Sequence, residues 1–94
     1  MSQQNQLGRT ATTVSTDGGK TRVVYHATTV VSFDAETVTL NSGGWQTSTT
    51  KTRMNQASNQ FGLGYRVWQK NDIWFVALAS GEVVLFADGM TFNR

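Results

Sequence analysis

The sequence predicts an α+β domain: a single antiparallel sheet of about five strands with one helix packed on it, ordered β-β-α-β-β-β behind a mobile N-terminal tail. Three observations carry this. From Thr21 onward most runs are dense in Val, Thr and aromatic residues, often alternating with period two. One segment, near 49–61, reads instead with helical period. Short polar or glycine-containing pairs separate successive runs, and tight turns make neighbouring strands antiparallel.

The tail comes first. Residues 1–20 are rich in Gln, Thr, Ser and Gly, with Leu7 and Val14 as the sizeable apolar groups. Such a segment buries too little to offset its ordering entropy. The competing reading is a short edge strand through 10–16, because Thr and Val favour strands. The remaining 74 residues, 21–94, form the single domain.

Residues 21–33 read as a strand, Asp34-Ala35 as a turn, and 36–41 as its hairpin partner, with Val38 and Leu40 on one face. Ser42-Gly43-Gly44 ends the hairpin. The helix spans about Thr49 to Phe61. Met54, Ala57 and Phe61 share one face, Ser48 or Thr49 serves as N-cap, and Gly62 stands where a helix-ending glycine belongs. Three strands follow: 63–70, 73–79 and 82–87. Asn71-Asp72 and Ser80-Gly81 separate them, and Asp88-Gly89 precedes a last short run at Met90-Thr91-Phe92. Residues 73–79 are apolar on both faces, as a central strand under a helix should be. Gly64 marks a close approach of the helix or a Trp ring to its strand.

Composition limits the chemistry. Cysteine and proline are both absent, so disulfides and thiolate metal sites are excluded. No run approaches the roughly 20 apolar residues of a membrane span, and the N-terminus carries no apolar signal core. These features predict residence in the cytoplasm of the cell that makes the protein. The net charge is +2, but it is unevenly placed. Residues 41–70 hold Lys51, Arg53, Arg66 and Lys70 with no carboxylate.

Catalysis finds little support. His26 is the one histidine and lies inside a strand pattern. Asp34 and Glu36 flank a turn and read as solvated. No residues have metal-ligand spacing, and no cofactor is expected. The glycines of FGLGYR lack the strand before, the helix after and the third glycine of a dinucleotide fingerprint.

The stretch GGWQTSTTKTR, residues 43–53, is more suggestive. A helix N-terminus presents unpaired N–H groups and partial positive charge, which favours anions. Thr49 and Thr50 add hydroxyls, Lys51 and Arg53 add charge, and Trp45 offers a surface for base stacking. Arg66 and Lys70 extend the basic strip if their strand face lies beside the helix. The plainer alternative is a loop and a helix cap. A second functional class uses Trp68 and Trp74, which nearly oppose each other across the Asn71-Asp72 turn. Exposed as a pair, they would mark a protein-partner surface.

The segment LNSGGWQTSTTKTRMNQASNQF, residues 40–61, resembles runs in small proteins of tailed bacteriophages, and the similarity extends to DGMTFNR at the end of the chain. The resemblance implies a phage origin and hence the host-cell cytoplasm. It brings no catalytic residue with it. Two functions follow as expectations for a non-enzymatic module. The first is binding of nucleic-acid or nucleotide phosphate at the basic, Thr-rich helix start. The alternative is inhibition or modulation of a host enzyme or defence complex through Trp68, Trp74 or a free strand edge. Neither a membrane nor a metal is an expected partner.

Overall fold

The computed structural model describes residues 12–44 and 47–94. Eight strands and one helix follow one another: β1 (Thr12–Asp17), β2 (Lys20–Tyr25), β3 (Thr28–Phe33), β4 (Thr37–Leu40), α1 (Ser48–Phe61), β5 (Arg66–Lys70), β6 (Ile73–Ala77), β7 (Val83–Leu85) and β8 (Met90–Asn93).

The α+β class stands, but the expected single sheet is two. A five-stranded antiparallel sheet runs β1-β2-β3-β4-β8, and a three-stranded one runs β5-β6-β7. The division comes at Asp88-Gly89. Its turn does not fold β8 back on β7 but sends it to β4, where Val38 faces Phe92 and Leu40 faces Met90. Asp88 fixes the crossing: its carboxylate accepts the Ser42 N–H at 2.8 Å and the Ser42 hydroxyl at 2.7 Å.

Two further corrections concern the first half. Residues 12–17, expected within the tail, form β1 in register with β2, from Thr12 opposite Tyr25 to Asp17 opposite Lys20. The run 21–33 is not one strand. His26 adopts a left-handed backbone (φ 56°) and the chain reverses there, making β2 and β3 a hairpin. One extra residue in β3 shifts this register, and Val30 and Val31 are both fully buried as a result.

The helix ends where Gly62 places it, in the left-handed region (φ 65°). Its N-cap is Thr47, one residue before the expected candidates; the Thr47 Oγ1 accepts the Thr50 N–H at 3.2 Å. Gly64 lies close to Ala79, not to the helix or a Trp ring: a Cβ there would sit 3.0 Å from the Ala79 Cβ.

Both sheets and the helix share one core. The larger sheet contributes Val23, Val31, Phe33, Val38 and Leu40, the smaller one Val67, Trp74 and Val76, and α1 contributes Met54 and Ala57. Tyr65 is buried among them and its hydroxyl donates to the Met54 carbonyl; burial raises its pKa.

Candidate functional site

Among the described residues, the predicted anion-binding groups do not all converge at the helix start. Thr49 is exposed, but Thr50 is fully buried, and its N–H and hydroxyl are both engaged with Thr47. Trp45 lies outside the described residues. Gly43 approaches Thr28 closely, since a Cβ on it would meet the Thr28 Oγ1 at 2.6 Å. A cleft of about 520 Å³ opens here, between the His26 turn and the helix, lined mainly by apolar surface.

Lys51 and Arg53 diverge across the helix. Arg53 is only 9 % exposed and turns toward the larger sheet. Its Nε donates to the Thr12 Oγ1 at 2.9 Å, a terminal nitrogen donates to the Gln56 Oε1 at 3.1 Å, and the guanidinium lies 5.5 Å from the Tyr25 ring centre. Lys51 leans the other way. Its Nζ donates to the Gln69 Oε1 at 3.2 Å and sits 5.8 Å from the Trp74 ring centre.

Lys51 instead shares a polar groove with Arg66. This cleft of about 540 Å³ runs between α1 and β5 and is also lined by Asn55, Asn59, Trp68 and Gln69, with no carboxylate among its lining residues.

The register of the small sheet sorts its side chains cleanly. One face holds Val67, Gln69, Trp74, Val76 and Val84 toward the helix and core. The other face carries three rows: Arg66–Ala77–Val83, Trp68–Phe75–Leu85 and Lys70–Ile73. Trp68 and Trp74 therefore do not form a cross-strand pair. Trp68 opposes Phe75 and stacks with it at 5.6 Å, whereas Trp74 opposes Gln69 and packs inside against Phe86 at 5.3 Å. A one-residue offset puts two residues on opposite faces.

The outer face is open to solvent. Ile73 is 50 % exposed, Val83 52 % and Leu85 64 %, and Trp68, Phe75 and Ala77 are half-buried. Arg66 and Lys70, both exposed, flank Trp68 along the β5 side. The outer face of the larger sheet is different: it presents Thr13, Ser15, Arg22, Thr39, Thr91 and Asn93. Sequence reading missed Ile73, Phe75, Val83 and Leu85 as surface residues. For Ile73 and Phe75 the signal was the double-sided apolar pattern of 73–79, which demands cover on both faces but finds it on one. Val83 and Leu85 join them only through their register with Ala77 and Phe75.

The remaining candidates serve local structure. Asp34 closes its own turn: its Oδ1 accepts the N–H groups of Glu36 and Thr37, both at 2.8 Å, which holds its pKa below the usual carboxylate value. His26 is exposed and packs 4.4 Å from the Tyr25 ring. Among the described residues, no group of three His, Asp or Glu side chains converges.

Nothing among curated proteins or solved structures matches this chain. One family model does, described as Kyanoviridae Gp96 protein, and it aligns with residues 1–93. With that match spanning nearly its full length, the chain belongs to the Gp96 protein family of the Kyanoviridae, which are tailed cyanophages.

Proposed function

We propose that this chain is a non-catalytic protein-binding module whose contact surface is the outer face of β5-β6-β7. One observation carries the reading: Trp68, Ile73, Phe75, Val83 and Leu85 share a single solvent-facing sheet surface. Contiguous apolar patches of this kind are uncommon on monomers and mark partner surfaces. Aromatic groups at the centre with arginine beside them match the composition of interface hot spots. Arg66 and Lys70 border the patch with no acid in its three rows, so the complementary partner surface is apolar with an acidic rim on the β5 side. A host protein is the natural partner for a phage module of this form.

The test is capture from host-cell lysate with the parent chain and Ile73→Asp. Ile73 is half-exposed, so the new charge is solvated and the fold is retained. A nuclease-resistant complex that disappears with Ile73→Asp is expected. Identical captures by both chains would rule out this face.

The α1–β5 groove supports a second reading, phosphate binding by Lys51 and Arg66. Its supporting observation is two cations in one polar cleft without a carboxylate. Fluorescence anisotropy with single-stranded DNA, duplex DNA and RNA at two salt concentrations tests it. Two phosphate contacts correspond to a log–log salt slope of about −1.4 to −1.8. Binding that survives Lys51→Ala combined with Arg66→Ala excludes the groove.

A further inference from the structure

The two sheets end in β1, β8, β5 and β7, and these edges are not alike. β1 is a run of Thr and Ser ending in Asp17, with Val14 as its sizeable apolar group. β8 exposes Thr91 and Asn93 and is followed by Arg94. β5 is capped by the helix. Asn55 acts as a substitute strand there: its Nδ2 donates to the Val67 carbonyl at 2.8 Å and its Oδ1 accepts the Val67 N–H at 2.7 Å. The Ser58 hydroxyl also donates to the Tyr65 carbonyl at 2.6 Å. Polar or covered edges are how sheets avoid unwanted pairing.

β7 has neither protection. The Leu78 N–H donates to the Glu82 carbonyl at 2.8 Å and the Phe86 N–H to the Trp74 carbonyl at 3.0 Å. In an antiparallel ladder with that phase, Val84 bonds to β6, while the N–H and C=O groups of Val83 and Leu85 point away from the sheet. The side chains of those same two residues are more than half exposed. The strand contains no charge.

We infer that the β7 edge is a strand-addition site, accepting an extended segment of the partner protein. This rests on the protein-binding reading above and specifies how the partner docks. The added strand exchanges backbone hydrogen bonds with Val83 and Leu85, and its alternate side chains continue the apolar rows Trp68–Phe75–Leu85 and Ala77–Val83. Glu82 and Asp88, both exposed, stand near the two ends of β7. Basic residues at both ends of the incoming segment complement them. A second copy of this chain fits less well, because antiparallel pairing of two β7 strands brings Glu82 of one toward Asp88 of the other at each end.

Selection of random twelve-residue peptides displayed against the immobilised chain provides the test. Val83→Pro and Leu85→Pro each delete a donor on the free side while leaving the β6 ladder intact, a position where edge strands accept proline. Val83→Thr lowers apolarity but keeps the donor. Circular dichroism verifies that each variant is folded. The expected peptides alternate apolar residues between basic ends. They bind the parent and Val83→Thr, and bind both proline variants about tenfold or more weakly, the equivalent of about 1.4 kcal/mol. Enrichment of no peptide, or equal binding to the folded proline variants, overturns strand addition. Peptides that ignore proline but are lost with Ile73→Asp leave the apolar-face reading standing alone; peptides that ignore both changes sink both. A chain that sediments as a dimer and is dissociated by Val83→Pro overturns the heterologous occupant.

Discussion

At the scale of single residues, similar chemistry in sequence becomes different chemistry in space. Lys51 and Arg53 are two positions apart, which on a helix puts them on well-separated faces. Arg53 is a structural cation, held by Thr12, Gln56 and Tyr25 in a nearly solvent-free site. Arg53→Ala is expected to lower stability by about 2–3 kcal/mol, since hydrogen bonds to charged groups are lost and packing with them. Lys51→Ala, at a half-exposed site, should change it by no more than about 0.5 kcal/mol. Chemical denaturation midpoints decide this, and equal shifts would contradict the division of roles. Asp34 provides a pH handle. Its folded pKa is depressed by the Glu36 and Thr37 N–H groups, so its contribution is present above the unfolded value, about pH 4, and is lost as pH falls through the folded value. Asp34→Asn should remove part of the acid sensitivity of stability below about pH 4. Parallel acid titrations of the two chains would show otherwise.

At the scale of elements, α1 is a poor helix by propensity. Its sequence is rich in Thr, Asn, Gln and Ser, and its first turn holds no acid to complement the dipole. Tertiary contacts hold it: Met54 and Ala57 lie in the core, and Asn55 and Ser58 complete the β5 edge. Asn55→Ala is expected to destabilise the chain by about 1–3 kcal/mol, because it leaves both Val67 backbone groups without that partner. Asn55→Asp should be little better, as it retains the acceptor but lacks the donor. Faster amide exchange at Val67 in both variants is the accompanying signature; unchanged exchange would mean that Asn55 is not the edge cover. The helix end was legible because a left-handed glycine is a local device. Its start was not read to the residue, because Thr47, Ser48 and Thr49 are all capable caps and only the fold selects Thr47. Asn55 as a strand surrogate was not, since nothing local links it to Val67.

For the molecule as a whole, the most exposed residues of the apolar outer face should be dispensable for folding. Ile73 and Leu85 are at least half exposed while the core beneath is complete. Replacing both by Thr should shift stability by no more than about 0.5 kcal/mol while reducing binding of an apolar dye such as ANS. A large loss of stability would make the face part of the fold rather than a contact surface.

The sequence by itself determined the α+β class, the helix with its glycine stop, the strands after the helix with the turns at Asn71-Asp72 and Ser80-Gly81, and the phage family resemblance, but not β1 or the reversal at His26. These depend on period, turn chemistry and local wording. Tertiary structure decided that there are two sheets, that β8 leaves β7 for β4, that Arg53 is buried, and that Trp68 and Trp74 face opposite ways. Those outcomes depend on which distant strand satisfies a backbone edge and on a one-residue strand register. Adjacent residues do not encode either, because the energies that choose between them arise only when residues far apart in the chain, such as Ser42 and Asp88, meet.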